Sequence, residues 1–85
     1  MKNQIETLDL SQIAQVVRGH WSNIYFGAVP YLNAMATLQT LDDKYGHDTG
    51  RSIVIYFLSN ARTWKGDVAR AVKAELNFRL KTKKL

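Results

Sequence analysis

The sequence has no cysteine, a single proline and no long apolar run, and these scarcities exclude several classes of protein. Without cysteine the chain forms no disulfide framework, thiol nucleophile or thiolate metal site. Its longest apolar run is six residues, 53–58, far below the ~18 needed to span a bilayer. The first ten residues also lack the apolar segment of a signal peptide. We therefore expect a cytoplasmic protein, without a membrane segment, whose core is held together by packing.

The rest of the composition is that of an ordinary folded domain. A chain of 85 residues with 46% hydrophobic and 22% charged residues fits one domain rather than a disordered tail. A fold of this size buries only roughly 60–65% of its unfolded surface, so self-association would add stability. We expect a single domain over residues 1–85. Disorder is an open alternative at its two ends, residues 1–6 and 81–85.

Charge is distributed unevenly along the chain. Residues 1–50 contain three cations and five anions, a net of −2, whereas residues 51–85 contain nine cations and two anions, a net of +7. This asymmetry favours an acidic partner at the C-terminal part of the molecule. It is equally compatible with head-to-tail self-association.

Hydrophobic spacing predicts an all-α domain of four helices, of which the first two lie in the acidic part of the chain. Apolar residues recur at steps of three and four over residues 10–23, and Asp9 with Gln12 forms a capping box before them. The same spacing predicts a second helix over residues 30–45. Gly46 is placed to end that helix in a left-handed conformation.

The apolar run 53–58 fits either a buried helix or a buried strand. A strand would have only residues 23–28 as a partner, and a lone pair of strands is marginal in water. The apolar positions also continue past the run at helical spacing, at Ile53, Phe57, Ala61 and Trp64. We therefore predict a third helix over residues 50–62, capped by Asp48 or Thr49. Its wide apolar face makes it the central helix of the domain.

The fourth helix, predicted over residues 66–82 with Thr63 or Asp67 as its cap, is amphipathic. Its apolar stripe packs inward and its opposite face is basic. Glu75 and Arg79 form an i, i+4 pair on this helix, worth a few tenths of a kcal/mol. Candidate binding residues lie on the basic face and just before the helix: Arg62, Lys65, Arg70, Lys73, Asn77, Lys81 and Lys84. They suit contacts with phosphates, although a solvated helix face has the same composition.

Catalytic and metal-binding interpretations are less well supported. Residues 48–50 spell the Asp-Thr-Gly of aspartic proteases, but no apolar strand precedes them and helix capping explains them. Asp42, Asp43, His47 and Asp48 resemble ligands of a divalent ion, with spacing that matches no calcium loop. His20 fits a polar residue at a helix C-terminus. We expect no catalytic residue, metal, cofactor or small-molecule substrate. Asp42 and Asp43 nonetheless stand in the predicted last turn of helix 2, where the macrodipole disfavours anions.

The stretch YFLSNARTWKGDVARAVKAEL, residues 56–76, resembles small uncharacterised proteins encoded by phages and mobile elements of Gram-positive bacteria. The resemblance includes FGAVPYLNAM and DDKYG and so covers most of residues 25–80. It implies no known activity. No functional residue is therefore transferred from it.

Aromatic residues exceed what so small a core readily buries: Tyr25, Phe26, Tyr31, Tyr56 and Trp64. Exposed tyrosine and tryptophan favour protein contacts. The sequence thus predicts a non-catalytic interaction module that binds an unknown protein or forms a homodimer. The alternative is sequence-tolerant nucleic-acid binding through the basic face of the fourth helix. Nucleic-acid binding should weaken steeply with salt, whereas binding to a protein through an apolar interface should be much less sensitive to salt.

Overall fold

The computed structural model describes residues 5–82, and four α-helices account for most of this range. They are α1 (Leu10–His20), α2 (Val29–Met35), α3 (Gly50–Ser59) and α4 (Asp67–Thr82). A 3₁₀ turn, Phe26–Ala28, leads into α2, and two short strands, β1 (Lys44–Tyr45) and β2 (Asp48–Thr49), form an antiparallel hairpin before α3. The predicted four-helix, mainly α domain is confirmed. Lys84 lies outside the described residues.

Helix α1 begins where its cap predicts. The Asp9 carboxylate accepts a hydrogen bond from the Gln12 amide at 2.9 Å, and the Gln12 side chain accepts one from the Asp9 amide at 2.9 Å. Hydrogen bonds from the Ser11 hydroxyl and the Gln12 amide lower the pKa of Asp9. The helix ends at His20, three residues before the predicted end, because Trp21 adopts an extended conformation.

Helix α2 ends at Met35 and is much shorter than the predicted helix over residues 30–45. The backbone beyond it serves α1 instead: the carbonyls of Leu38 and Gln39 accept hydrogen bonds from the first amides of that helix, at 2.8 and 3.1 Å. The apolar spacing that predicted a longer helix is satisfied differently. Leu38 and Leu41 are buried in the core from an irregular connection.

The hairpin takes the place of the predicted end of helix 2. Lys44 pairs with Thr49 and Tyr45 with Asp48, and Gly46 occupies the turn between them with φ of +65°. Glycine at the first central position is the preference of a type II′ turn. The prediction that Gly46 adopts a left-handed conformation is correct, but it does so in a hairpin and not at a helix end.

Helix α3 is capped by Thr49, one of the two predicted caps. Its hydroxyl accepts a hydrogen bond from the Ser52 amide at 3.2 Å. The helix packs against both α2 and α4 and contributes Phe57 to the fully buried core. It ends at Ser59 instead of residue 62. Ile55 and Tyr56 within its apolar run are exposed, so its buried face is narrower than the sequence predicts.

Helix α4 begins at Asp67 and extends at least to Thr82, close to the predicted 66–82. Val72 and Leu76 of its apolar stripe are buried, together with Ala69. The core that the four helices enclose includes these fully buried large side chains: Phe57, Leu10, Ile13, Leu32, Met35, Leu76, Val17, Val54 and Val72. No helix within residues 5–82 has the length and apolar character needed to cross a membrane.

At Gly50, the start of α3 packs closely against the backbone of the connection that precedes the hairpin. A Cβ at this position would lie 2.6 Å from the Thr40 carbonyl oxygen and 3.0 Å from the Leu41 Cα. Because these obstacles are backbone atoms, we expect Gly50→Ala to lower the free energy of unfolding by about 1–3 kcal/mol. Gly19→Ala is the matched control, since a Cβ there meets nothing within 4 Å.

The Gly19 substitution lies in a helix and should stabilise the protein by about 0.5–1 kcal/mol. Urea unfolding followed by circular dichroism measures both variants. Equal effects of the two substitutions would show that the approach at Gly50 is not tight.

Candidate functional site

The seven residues predicted to bind are separated by the fold into different environments. Arg70, Asn77 and Lys81 lie on the exposed face of α4, as the sequence predicts. Arg62 and Lys65 are exposed in the connection between α3 and α4. Lys73 and Lys84 differ from these five: the first is partly buried, and the second lies outside the described residues.

Lys73 closes the corner between the connection and α4. Its Nζ donates a hydrogen bond to the Trp64 carbonyl at 2.7 Å. Burial lowers the pKa of Lys73, and the nearby positive charge of Lys65 lowers it further. Lys73 thus has a structural partner, and a phosphate would compete with it for the ammonium group.

Two more residues of the basic face have partners on their own helix. The Arg70 guanidinium donates to the Asp67 carboxylate, in an ion pair that is highly exposed. The Asn77 amide donates to the Lys73 carbonyl at 2.9 Å. Within the described residues, the side chains of Arg62, Lys65 and Lys81 make no hydrogen bond or ion pair. These three cations are the best placed for an external anion.

The acidic corner at the hairpin has a structural role. The Asp43 carboxylate accepts hydrogen bonds from the amides of Gln39 and Thr40, at 2.8 and 3.1 Å. These bonds lower the pKa of Asp43. Asp42 and Asp43 follow α2 by several residues, so the expected conflict with a helix macrodipole does not arise. Within residues 5–82 the acids and histidines form no group of three suited to a metal ion.

His20 is exposed at the last position of α1. Its Nδ1 lies 2.9 Å from the Val16 carbonyl oxygen. This is the polar helix-end contact that the sequence predicts. In the Asp-Thr-Gly triplet, Thr49 caps α3 and Asp48 belongs to the hairpin.

Four of the five surplus aromatic residues form two ring pairs, which we call the aromatic seam: Tyr25, Phe26, Tyr31 and Tyr56. Tyr25, Phe26 and Tyr56 are exposed, whereas Tyr31 is partly buried against the core. The rings of Tyr25 and Phe26 are 5.0 Å apart, and those of Tyr31 and Tyr56 are 5.4 Å apart. Asn60 lies one turn after Tyr56, and its side-chain oxygen and the Tyr25 ring both lie close to Gly27.

Trp64, the fifth aromatic residue, is buried. It stacks on Trp21 with ring centres 5.5 Å apart and planes 11° from parallel. Its indole N–H donates to the His20 carbonyl at 3.1 Å. The burial of Trp64 agrees with its place in the apolar spacing of residues 53–64 and not with its place among the surplus aromatic residues.

An open cleft of about 360 Å³ lies at one end of the aromatic seam. Tyr25, Ser59, Asn60, Arg62 and Thr63 line it. The Ser59 hydroxyl and the Asn60 amide donate to the carbonyls of Ile55 and Tyr56, at 3.1 and 2.9 Å. Their oxygens therefore remain as acceptors at the cleft, whereas Arg62 and Thr63 supply donors.

Two features of the molecule were not predicted from the sequence. The first is the cleft, because Tyr25 and Arg62 are distant in sequence and only the packing of the 3₁₀ turn against the end of α3 brings them together. The second is Arg79, whose guanidinium contacts the N-terminal segment in addition to Glu75. The i, i+4 spacing of Glu75 and Arg79 indicated the first contact only.

Fold and surface together define a small α-helical domain with an exposed aromatic seam that ends in a polar, cationic cleft. Comparisons with protein-family models, with curated proteins and with solved structures found no match to this chain.

Proposed function

We propose that this protein is a non-catalytic interaction module that self-associates through the aromatic seam. The observation that supports this proposal is the two aromatic ring pairs of the seam, in which Tyr25, Phe26 and Tyr56 are exposed. Tyrosine and phenylalanine are enriched at the centres of protein interfaces, where they bury large areas at low entropic cost. Three exposed aromatic rings in two adjoining pairs are the kind of apolar surface that marks a protein contact.

A second copy of the chain is the occupant that the seam suits best. The seam contains no charged residue, whereas the protein as a whole has a formal net charge of +5. Two copies can therefore bring these four residues together without placing like charges opposite each other, with Arg62 at the end of the seam. A twofold axis would then pair the tyrosines of one copy with those of its partner. Burial in a dimer would also offset the small core of the monomer.

Tyr56→Ser is the substitution that tests this proposal. Tyr56 is 50% exposed in the seam, and Tyr45, which is 47% exposed on the hairpin, provides a matched control for the loss of a surface tyrosine. We expect the wild type to show a concentration-dependent mass approaching twice 9.7 kDa in sedimentation equilibrium. Tyr56→Ser should weaken the dimer by about 10-fold or more, since the residue is used twice at a twofold interface.

Tyr45→Ser should leave the dimerisation constant unchanged. A strict monomer at every concentration would reject self-association, and equal weakening by both substitutions would place the interface elsewhere.

The resemblance of residues 56–76 to small proteins of phages and mobile elements supports an accessory role of that kind. A cytoplasmic location belongs to the same proposal and is supported by the absence of cysteine. A module of this type would act by bringing other components together, so its output would be an assembly and not a chemical product.

Nucleic-acid binding is the second candidate function, and the unpaired cations support it. Among the described residues, Arg62, Lys65 and Lys81 have no bonded anion. Arg70 and Lys73, by contrast, are occupied by Asp67 and by the Trp64 carbonyl. The available positive charge is therefore weighted toward the connection between α3 and α4 and away from the middle of α4.

A further inference from the structure

We propose that the cleft beside Arg62 is a binding site for single-stranded nucleic acid, in which Phe26 and Tyr25 stack on bases. The site would be complete in one copy of the chain. Because Tyr25 and Phe26 also belong to the aromatic seam, self-association through the seam would compete with strand binding. It differs from the basic face predicted on α4 in both position and chemistry.

Exposed aromatic rings stand beside cations at this place. Phe26 is 79% exposed, the most exposed large hydrophobic residue that the structure describes, and its ring lies 5.0 Å from that of Tyr25. Tyr25 in turn lines the cleft with Arg62. Aromatic platforms next to a positively charged groove are how sequence-tolerant proteins hold unpaired strands.

The polar groups of the cleft favour a nucleotide over a simple anion. Arg62 and Thr63 can donate to a phosphate. The oxygens of Ser59 and Asn60 are acceptors, since the Ser59 hydroxyl and one N–H of the Asn60 side chain donate to carbonyls of α3. A ligand that satisfies all four groups needs both an anionic group and hydrogen-bond donors. Nucleotides have both, in the phosphate and in base amino or imino groups.

The neighbouring lysines extend the site for a strand longer than one nucleotide. Lys65 follows the turn that presents Arg62 and Thr63, and it lies close enough to Lys73 for their charges to repel. A second phosphate beside Lys65 would offset that repulsion. The backbone of a bound strand would therefore run from the cleft toward the start of α4.

The stacking platform selects unpaired bases. In a duplex the base faces are already stacked on their neighbours, so a side chain at the protein surface cannot reach them without disrupting the helix. Stacking is also tolerant of sequence, because every base has an aromatic face. We thus expect strong preference for single strands over duplex and weak preference among sequences.

Fluorescence anisotropy with labelled oligothymidylate tests the site at about 50 mM and about 200 mM salt. Phe26→Ser should weaken binding roughly 5- to 100-fold through the loss of stacking. Phe78→Ser is the matched control, because Phe78 is a 59% exposed phenylalanine on α4. It should bind as the wild type does. Oligouridylate in a parallel titration distinguishes RNA from DNA, and an equally long duplex should compete poorly.

Arg62→Glu and Lys44→Glu form a second matched pair, since each changes the net charge equally and both residues are exposed. Arg62→Glu should weaken binding and reduce the log-log salt slope by about 0.7, the contribution of one phosphate on a single strand. Lys44→Glu should have a much smaller effect and preserve the slope.

Three results would overturn the proposal: no binding at low salt, equal losses for Phe26→Ser and Phe78→Ser, or duplex binding that weakens on Lys81→Glu but not on Arg62→Glu. The last would move the site to α4. Dimerisation is measured separately, by sedimentation without nucleic acid and with Tyr56→Ser. Phe26→Ser changes the seam as well as the cleft site, whereas Arg62→Glu lies outside the seam, so the failure of one proposal is distinguishable from the failure of the other.

Discussion

Trp64→Ala should lower the free energy of unfolding by about 3–5 kcal/mol, the usual cost of truncating a buried tryptophan. Trp64 is almost fully buried, stacks on Trp21 and donates its N–H to the His20 carbonyl at 3.1 Å. That carbonyl belongs to the last residue of α1 and has no acceptor role within the helix. The substitution would therefore remove both the stacking on Trp21 and the hydrogen bond that ties the connection before α4 to the end of α1.

The loss expected for Trp64→Ala is large relative to the total free energy of unfolding. At roughly 0.05–0.15 kcal/mol per residue, a chain of 85 residues has about 4–13 kcal/mol of stability. Trp64→Ala would therefore leave a partly unfolded population at 25 °C if the protein lies near the lower limit. Urea unfolding followed by far-ultraviolet circular dichroism measures the change, and the near-ultraviolet signal of the stacked indoles should disappear.

Two further variants separate the contributions to this effect. Trp64→Phe keeps an aromatic ring and removes the donor, so we expect a smaller loss of roughly 1–3 kcal/mol from the unsatisfied His20 carbonyl and incomplete packing. Phe78→Ala removes an exposed ring and should change stability by less than about 0.5 kcal/mol. A loss for Trp64→Ala no greater than that for Phe78→Ala would contradict the anchoring role of Trp64.

The sequence predicted the features of the fold that depend on neighbouring residues. Apolar spacing located all four helices, and the side chains of Asp9 and Thr49 predicted two caps that the structure contains. These signals are local, because a cap or a helical stripe needs only residues within a few positions of each other. The burial of Trp64 followed from the same stripe.

The end of α2 depends on partners far away in the chain, and for that reason the sequence did not predict it. Leu38 and Leu41 continue the apolar spacing of α2, yet the carbonyls of Leu38 and Gln39 hydrogen-bond to the first amides of α1. A helix through these residues would have used the same carbonyls internally. The competition between two tertiary arrangements cannot be read from periodicity.

The candidate site shows the same division. A surplus of aromatic residues was visible from composition, whereas their alignment into one seam required the packing of α2 on α3. The cations of α4 were predicted to form one exposed face. Lys73 departs from this because its ammonium group donates to the Trp64 carbonyl, a partner that the sequence does not indicate. Of the predicted residues, Arg62 is the one that the fold places in a cleft with an aromatic ring, that of Tyr25.

Arg79 connects the first and last described segments of the chain, and Arg79→Ala should lower the free energy of unfolding by about 2–4 kcal/mol. Its Nη2 donates to the carbonyls of Ile5 and Leu8, at 3.1 and 2.7 Å, and its Nε donates to Glu75 at 2.6 Å. The Glu75–Arg79 pair is largely shielded from water, so the few tenths of a kcal/mol expected for an exposed pair underestimates it. Loss of Arg79 leaves a carboxylate and several carbonyls without their donor.

Arg70→Ala is the matched control for Arg79→Ala. Arg70 also pairs with an acid on α4, one turn apart, but that pair is exposed and should contribute less than about 1 kcal/mol. Arg79→Lys should recover little of the loss, because an ammonium group cannot reproduce the planar fork that contacts carboxylate and carbonyls together.

Amide hydrogen exchange adds a local measurement: in Arg79→Ala, the amides of Leu8 and Leu10 should exchange faster than expected from the global change alone. If Arg79→Ala and Arg70→Ala cost the same, the contacts of Arg79 with residues 5–8 contribute no net stability, and α1 and α4 are held together by their apolar faces.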